Sequence, residues 1–352
     1  MDFAEILIRW QKQHGRHSLP WQNTRDPYRV WLSEIMLQQT QVATVIPYYQ
    51  RFLVRFPDIE TLAFAPSQAV MALWSGLGYY SRARNLHRCA QLVIAEHGGI
   101  FPSEPAQLEQ LPGIGRSTAA AISVFSHGIR AAILDGNVLR VFARVFGIAE
   151  FTGSKPVKDA LWQRAETLLP EEGIEAYTQG LMDLGATVCT RSRPDCSSCP
   201  FAPHCVAFST GRTDELPLRK PRKALPEKRI AMLAVIHENR VLLEQRPDFG
   251  IWGGLLSLPE LADWQVERQE ADQPVLQHAV VPFGKAASCL PLKPFVHTFS
   301  HFRLRVSPYR IELARRRPMA AQSNHVWYEL DRIAQAPLPS PVRKLLLGMG
   351  RL

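Results

Sequence analysis

The stretch that decides the fold of the N-terminal half is LEQLPGIGRSTAAAISVF, residues 108–125. It has the form of a helix, a tight turn with Pro112, Gly113 and Gly115, and a second helix that opens near Ser117. Two glycines around one apolar residue permit positive φ angles and let backbone N–H groups converge. The N-terminus of the second helix adds free donors and the positive end of its dipole, which suits an anion. We interpret the stretch as a helix–hairpin–helix that grips duplex phosphates, against the alternative of an ordinary connection between helices.

The remainder of the first 210 residues is also predicted to be helical, because apolar residues recur at three- and four-residue spacing between Pro and Gly stop signals. The predicted helices cover residues 3–12, 28–43, 45–56, 67–73, 82–97, 105–110, 117–127 and 138–146, with two more over 157–185. Residues 211–229 are rich in Pro and basic side chains, which predicts an exposed linker. The C-terminal domain, 230–352, is predicted to be α/β or α+β. Its predicted elements are two strands around a turn at Glu238-Asn239, strands at 278–283, 294–299 and 302–312, and a closing helix at 340–348.

Composition limits the class of protein. The 352 residues are 46% hydrophobic and 21% charged, typical of a soluble globular protein and unlike a mainly disordered one. The net charge of +9 points to a polyanionic partner, with nucleic acid first. Residues 1–210 hold 19 basic and 18 acidic side chains, so the linker and the C-terminal domain carry most of the excess. A membrane span and a signal peptide are not expected, and a cytoplasmic location is.

Four of the six cysteines lie close together in CTRSRPDCSSCPFAPHC with the spacing C-x6-C-x2-C-x5-C. Four thiolates on a short, proline-containing segment can surround one metal ion or cluster. Zinc is the generic ligand of such a set, and a 4Fe–4S cluster is the alternative that this spacing favours. Both remain open on spacing alone. The predicted ligands are Cys189, Cys196, Cys199 and Cys205.

Two carboxylates stand in unusual settings. Glu34 has apolar neighbours on most sides of its helix turn, so it is either a surface residue on a narrow polar stripe or a partly buried acid with a raised pKa. Asp135 ends an apolar run and precedes Gly136 and a helix, where a simple helix cap is the strong alternative to catalysis. One protonated and one ionised carboxyl group are what cleavage of a glycosidic bond requires.

The hairpin, Asp135 within L-D-G-N-V-x-R, and the cysteine spacing, in that order, resemble the helix–hairpin–helix DNA glycosylases of the endonuclease III superfamily. Within it, LPWQNTRDPYRVWLSEIMLQQTQV and GLGYYSRARNLH are similar to the MutY branch, the adenine DNA glycosylases, and the C-terminal HTFSHF agrees. The resemblance implies a mainly α glycosylase domain over 1–210, with a six-helix module at about 22–128 and a cluster-bearing subdomain of 1–21 and 129–210. It also implies a 4Fe–4S cluster, a monomer, and removal of adenine mispaired with 8-oxoguanine or guanine in double-stranded DNA.

Residue roles follow from the resemblance. Glu34 is implied to be the general acid, which protonates adenine at N7 and also handles the water; Asp135 stabilises the positive sugar, and Asn137 assists. Gln39 and Tyr79 match residues that fill the base stack after the nucleotide flips out, with Leu37 and Thr40 beside them. The implied phosphate contacts come from the hairpin and nearby arginines: Leu111, Gly113, Gly115, Arg116, Ser117, Arg82 and Arg84.

Position 117 predicts the reaction outcome. Bifunctional lyases of this superfamily place a lysine two residues after the second hairpin glycine, where its amine attacks C1′. Here Ser117 follows Gly115-Arg116, and a serine cannot form a Schiff base. We therefore expect a monofunctional glycosylase that leaves an abasic site.

The C-terminal domain resembles the Nudix fold of MutT, but its metal-binding box is incomplete. Gly254, Glu260 and Arg268 match the box, whereas Gln269 and Gln273 replace glutamates that would hold magnesium. The resemblance implies a lesion-reading domain in which Phe299, Ser300 and His301 sense 8-oxoguanine.

Three other functions remain as alternatives. They are an endonuclease III-like enzyme for oxidised pyrimidines, a non-catalytic iron–sulfur DNA sensor, and a nucleotide hydrolase. Ser117 argues against the first. The presence of both Glu34 and Asp135 argues against the second, because binding alone needs neither. The incomplete metal-binding box argues against the third.

Overall fold

The computed structural model describes residues 2–218, 220, 224–261, 272–318 and 324–349. They form two compact units: Met1–Phe64 with Asn85–Arg222, and Ala65–Arg84 with Lys223–Leu352. The domain boundaries predicted from the sequence differ in two respects. Residues 65–84 lie in the second unit, and the first unit extends into the predicted linker, where Leu216 is buried in its core. No helix among the described residues is long and apolar enough to cross a membrane.

Helices make up the first unit. The helices of the whole described chain are α1 (Phe3–His14), α2 (Pro27–Leu37), α3 (Val42–Arg55), α4 (Ile59–Ala63), α5 (Ser67–Trp74), α6 (Ser81–His97), α7 (Pro105–Leu108), α8 (Arg116–His127), α9 (Gly136–Val145), α10 (Lys155–Thr167), α11 (Ile174–Asp183), α12 (Val206–Ser209), α13 (Gln273–Ala279) and α14 (Ser340–Met349). A π-helical segment, Leu184–Val188, continues α11. Local signals fix the ends: Asp26 caps α2 ahead of Pro27, and Gly128 ends α8 in the left-handed conformation.

The core of the first unit joins the N-terminal helix to the helices around Asp135. Phe3 of α1 stacks on Phe201 with ring centroids 4.2 Å apart and meets Phe142 of α9 edge to face. Leu7 and Tyr177 are buried in the same cluster. The cluster therefore holds α1, α9, α11 and the cysteine segment as one body, which fixes the elements that carry the site.

A seven-stranded mixed sheet, counted over the described residues, organises the second unit. Its strands are β1 (Glu227–His237), β2 (Arg240–Gln245), β3 (Leu256–Ser257), β4 (Gly284–Pro291), β5 (Phe295–Thr298), β6 (Arg303–Arg316) and β7 (His325–Glu329). The central order is β3-β2-β1-β6-β4; β5 pairs with β6, and β7 pairs with β2. β1 and β6 run parallel, with Ile230 opposite Val306. The predicted hairpin at Glu238-Asn239 and the predicted C-terminal helix are confirmed.

Two predicted elements are wrong. The helix expected over 28–43 ends at Leu37, because Gln39 adopts a left-handed φ of 56° that no α-helix accommodates. The strand expected at 278–283 is instead the end of α13 and a turn, followed by β4. Asp272 and the proline in the first turn of α13 start a helix there, and a short apolar run cannot distinguish the two structures.

Candidate functional site

Glu34 lies in the wall of a cavity of about 500 Å³ in the first unit. The wall combines apolar side chains such as Trp21 and Leu37 with polar ones such as Gln179. Glu34 lies on α2, and most of the other side chains of this helix are buried. The size suits a small organic ligand, and the mixed lining suits one with an apolar face and polar edges. Of the two settings the sequence left open for Glu34, the structure shows the enclosed one.

Asp135 is the N-cap of α9. Its Oδ1 accepts hydrogen bonds from the backbone N of Asn137 at 3.0 Å and of Val138 at 2.8 Å, and its Oδ2 accepts from Asn137 Nδ2 at 3.3 Å. These donors and the positive end of the α9 dipole stabilise the ionised carboxylate. Asp135 is thus a helix cap, which was the alternative to catalysis that the sequence left open, and its charge also acts on Glu34.

The two carboxyl groups interact electrostatically. Burial, and secondarily the charge of Asp135, raises the pKa of Glu34 to about 8. Burial raises the pKa of Asp135 as well, but its hydrogen bonds and the Arg140 guanidinium act in the opposite direction. Among the described residues no hydrogen bond to the Glu34 carboxyl is seen, whereas Asp135 accepts three. The two carboxyl groups therefore differ in environment: burial favours the protonated form of Glu34, whereas the hydrogen bonds to Asp135 favour its anion.

Arg140 is the last residue of the L-D-G-N-V-x-R motif, to which the sequence assigned no role, and it connects α9 to the cysteine segment. It donates to Asn137 Oδ1 at 2.8 Å, to Gly185 O at 2.6 Å and to Cys189 O at 2.7 Å. Gly185 packs so closely that an added Cβ would lie 2.5 Å from the Cβ of Asn137. The three-residue helical spacing of Asn137 and Arg140 was a sequence signal for their contact; nothing in the sequence indicated Gly185.

A buried ion pair lies beside the same cavity. Arg16 Nη2 and Asp183 Oδ1 are 2.7 Å apart, and the side chain of Asp183 is fully buried. Gln179 Nε2 also donates to Asp183 at 2.8 Å. Arg16 and Gln179 line the cavity, so this pair fixes polar atoms of its wall. The partners are 167 positions apart, which is why the sequence did not reveal them.

The hairpin has the geometry that the glycines predicted. Gly113 has a φ of 81°, and an added Cβ would lie 2.9 Å from the Cβ of Asn85. Gly115 is the N-cap of α8, so the amides of the first turn are open at the helix end. The Ser117 hydroxyl accepts from Leu134 N at 3.1 Å, which ties α8 to the segment that ends at Asp135. This hydrogen bond therefore holds the hairpin and the segment that carries Asp135 together.

Four predicted phosphate contacts are buried or have other partners. One of them, Arg84, donates from Nη1 to Gly253 O at 2.5 Å. The side chain of Leu111 is buried under the hairpin. Arg116 forms an ion pair with Glu166 and lies over the Trp162 ring, 3.9 Å from its centroid. Arg82 is only 8% exposed, and its Nη2 donates to Gly78 O at 3.3 Å. The open backbone amides at the start of α8 therefore remain as the candidate anion ligands of the hairpin.

The turn after α2 presents Gln39. Its side chain is exposed and its φ of 56° is unusual for a residue other than glycine. Gln38 Nε2 lies 3.4 Å from Gly113 O and from Thr118 Oγ1, so the turn contacts the hairpin. Thr40 Oγ1 donates to Gln38 O at 3.3 Å. The turn is thus a constrained structure that projects one polar side chain, as a stack-filling role requires.

Tyr79 occupies a similar turn in the second unit. It is 48% exposed and has a φ of 49°. Trp74 Nε1 donates to Gly78 O at 3.3 Å, and the Arg82 guanidinium lies 5.6 Å from the Tyr79 ring centroid. Tyr79 was predicted from the resemblance, with core packing as the alternative; its exposure favours a ligand-facing role.

The four predicted ligand cysteines line one cavity of the first unit, together with Arg144. Arg144 is buried; its Nη1 lies 3.4 Å from Cys189 Sγ and donates to Thr190 O at 2.7 Å. Within the described residues, no three His, Cys, Asp or Glu side chains are placed to hold a single metal ion. The four thiols thus border one shared space, as coordination of a single metal ion or cluster by four thiolates requires.

The segment 299–301 forms a tight turn between β5 and β6. Phe299 N donates to Phe302 O at 2.9 Å, and the two rings stack 4.5 Å apart. Ser300 and His301 are exposed at the tip, with Ser300 Oγ 3.3 Å from His301 Nδ1. The buried Trp252 ring packs 6.1 Å from that of Phe299. The aromatic rings around Phe299 therefore support the turn, and its exposed tip carries two polar side chains.

The incomplete Nudix box has no carboxylate cluster in its described part. Glu260 pairs with Arg246 at 2.8 Å, and Gln273 Nε2 donates to Cys289 O at 2.6 Å. Arg268 and Gln269 lie outside the described residues. The described box residues therefore have structural partners.

Comparison with protein families gives two matches. The model of the HhH-GPD superfamily base excision DNA repair protein matches residues 32–167. The model of the NUDIX domain matches residues 231–348. The first match covers Glu34, Asp135 and the hairpin, and the second covers the sheet of the second unit.

Two relatives match nearly the whole chain, and two solved structures match 59% of it. An adenine DNA glycosylase of Buchnera aphidicola (Acyrthosiphon pisum) is 36% identical over 98% of this chain and 96% of its own length. The mouse adenine DNA glycosylase is 34% identical over 97% of this chain and 77% of its own. A solved thermostable thymine-DNA glycosylase covers 59% of this chain and 95% of that one, at 31% identity and a TM-score of 0.55. An endonuclease III in complex with DNA, at 21% identity and a TM-score of 0.52, shares the fold.

Proposed function

Since this chain belongs to the adenine DNA glycosylases of the HhH-GPD base excision repair superfamily, we propose that it acts on adenine mispaired with 8-oxoguanine or guanine and leaves an abasic site. Membership of the family makes it an enzyme of DNA repair that removes adenine. The proposal adds the mispair, the residues that carry the reaction, and the compartment, which is the cytoplasm where bacterial DNA lies.

The observation that carries the proposal is the unequal pair of carboxyl groups. Glu34 has a pKa raised to about 8 by burial and the charge of Asp135, while Asp135 accepts three hydrogen bonds that favour its anion. N-glycosidic hydrolysis requires one acid and one anion. Glu34 lies in the wall of a cavity large enough for a nucleoside, and Asp135 is near enough to interact with it electrostatically.

The residues act in sequence. The Glu34 carboxyl gives its proton to N7 of adenine, so that the electron pair of the breaking N9–C1′ bond is taken up by a neutral base. The Asp135 carboxylate stabilises the positive charge that develops at C1′. Water then adds to C1′ and returns a proton to Glu34, which restores the acid. Asn137 and Arg140 hold Asp135 and its helix cap in place.

Ser117 supports a monofunctional reaction. Its hydroxyl accepts a hydrogen bond from Leu134 N and has no amine to attack C1′. The second product is therefore an abasic site on an intact strand.

The four cysteines of the first unit would hold one 4Fe–4S cluster, and their shared cavity supports this assignment. When bound, the cluster supplies iron–thiolate bonds that fix the segment 189–205. Arg140 and Arg144 join this segment to α9, so its order supports the position of Asp135.

The second unit would read the lesion. The exposed Ser300 and His301 offer hydrogen-bonding groups on a supported turn, and the exposed Tyr79 offers a ring for stacking. The ion pair of Glu260 with Arg246 and the glutamine at 273 argue against nucleotide hydrolysis by this unit.

A duplex with one A·8-oxoguanine pair tests the proposal. After incubation with the protein, heating in alkali should break the strand at the adenine. Glu34→Gln and Asp135→Asn should abolish the break, and Glu150→Gln, at an exposed position outside the hairpin, should not. Uncut DNA after incubation with folded, cluster-loaded wild-type protein would overturn the proposal.

A further inference from the structure

The loop that carries Tyr79 is fastened to the C-terminal part of the second unit through Ser75. The Ser75 hydroxyl donates to Leu338 O at 2.7 Å and accepts from Arg343 Nη2 at 2.6 Å. Arg343 Nη2 also donates to Ala336 O at 2.8 Å. Ser75 directly follows α5 and is buried. One buried hydroxyl thus joins the start of the loop to α14 and the segment before it; we call Ser75, Leu338 and Arg343 the Ser75 clasp.

Tyr80 extends the clasp into the loop. Its hydroxyl accepts from Gly76 N at 3.4 Å, and it is hydrogen-bonded to the side chains of Ser75 and Ser340. Because Tyr80 adjoins Tyr79 in the chain, its anchoring limits where the Tyr79 ring can point.

A second connection holds the other end of the loop. Arg84 Nη1 donates to Gly253 O at 2.5 Å. A Cβ added to Gly254 would lie 3.5 Å from Arg84 Cδ and 3.5 Å from Met71 Cε, so the two segments pack closely. The loop between α5 and α6 is therefore held at both ends by residues of the C-terminal domain.

The loop needs such support. Gly76, Gly78 and Tyr79 all have positive φ, at 107°, 75° and 49°. For tyrosine this conformation is strained, and it persists only where the surroundings enforce it. Trp74 and Arg82 bind the Gly78 carbonyl from inside the loop, and the clasp acts from outside.

We propose that Ser75 and Arg343 are positioning residues for Tyr79, so that the C-terminal domain governs mispair discrimination by two routes. One is direct contact of residues 299–301 with the lesion, and the other is the shape of the Tyr79 loop. The inference rests on the proposed function, since it assigns a support to a residue of that site. Neither Ser75 nor Arg343 needs to touch DNA.

Excision by the full-length protein, measured under single turnover on A·8-oxoguanine and A·G duplexes, tests the first consequence. Arg343→Met should lower the preference for 8-oxoguanine on the order of ten-fold, the value of one hydrogen bond from a charged group. Ser75→Ala should act in the same direction with minimal loss of packing. Arg332→Met is the matched control, because Arg332 is exposed and pairs only with Glu329 among the described residues. An unchanged preference in both clasp variants would overturn the proposal.

A double-mutant cycle separates positioning from a general loss of stability. In a Tyr79→Ala background, Arg343→Met should change the preference by less than about two-fold, because its target is gone. In a Ser300→Ala background, its full effect should remain. Equal effects of Arg343→Met with and without Tyr79 would refute the assigned route.

Hydrogen exchange of free wild-type and variant proteins makes the two proposals distinguishable. Amides of residues 76–82 should exchange faster in Arg343→Met than in wild type or Arg332→Met. Unaltered exchange there would refute the positioning role, whatever the enzymatic result. If wild type did not excise adenine from either duplex, the proposed function would fail, and exchange would still decide whether the clasp orders the loop.

Discussion

Replacing Glu34 by glutamine is expected to stabilise the protein at alkaline pH while it abolishes adenine excision. The physical reason is that the folded protein favours the protonated form of this carboxyl, which is also the form that the reaction needs. As the pH rises above neutral, this carboxyl loses its proton in the buried site, and the free energy of unfolding falls. The amide of glutamine fills the same space without a titrating group.

The magnitude follows from the pKa of Glu34, which burial raises from 4.5 to about 8. At about 1.36 kcal/mol per pKa unit, this corresponds to at most about 5 kcal/mol. Because the folded pKa lies above the unfolded one, the contribution of Glu34 to stability is fully present below pH 4.5 and is lost as the pH rises through about 8. Glu34→Gln has no titrating group at this position. The free energies of unfolding of wild type and Glu34→Gln should therefore diverge between pH 4.5 and about 8.

The assay is urea unfolding of wild type, Glu34→Gln and the exposed control Glu109→Gln at pH values from 5 to about 9. The free energy of unfolding of wild type should fall relative to Glu34→Gln by several kcal/mol, and Glu109→Gln should follow wild type. In parallel, wild-type excision should fall about ten-fold per pH unit above about 8. Parallel pH dependences in wild type and Glu34→Gln would refute a buried, proton-holding Glu34.

Asp135→Asn should keep the cap of α9 through its remaining oxygen but lower excision by about 100-fold or more under single turnover, since the anion is lost; activity near the wild-type level would contradict its role. Reduction with borohydride should trap no covalent complex of the wild-type protein with DNA, because Ser117 offers no amine; trapping as efficient as that of a lyase would show the assignment wrong. Gly185→Ala should destabilise the protein by about 1–3 kcal/mol and slow excision, because its methyl group would lie 2.5 Å from the Cβ of Asn137. Gly348→Ala, where an added Cβ meets nothing within 4 Å, is the control in thermal unfolding, and equal effects of both substitutions would refute the crowding.

Structural features that depend only on neighbouring residues in the chain were predicted correctly from the sequence. The hairpin glycines, the cap at Asp135 and most helix ends are set by local φ angles and by hydrogen bonds within a few residues, which the sequence displays directly. The errors arose where a local pattern was ambiguous. The apolar run at 278–283 suited a strand or a helix equally, and the structure has the end of α13 there.

Pairings between distant segments could not be predicted. Arg16 meets Asp183 across 167 positions, and residues 65–84 belong to the second unit although helices of the first surround them in the chain. Arg82 resembled a phosphate contact in a basic segment, but it is buried and binds a loop carbonyl. The burial of a side chain depends on which distant segments pack over it, and a single sequence does not show which segments those are.

The sequence by itself therefore determined the family, the hairpin, the cysteine ligands proposed for a cluster and the two carboxylates as candidates, because each depends on residue type and short-range spacing. Only the tertiary structure decided that Glu34 is enclosed and close enough to Asp135 for their charges to interact, across about a hundred residues of chain. It also decided that the Tyr79 loop is held by Ser75 and Arg343. The reason is that the free energy of a charge or a strained turn is set by the atoms packed around it, and those atoms come from segments remote in sequence.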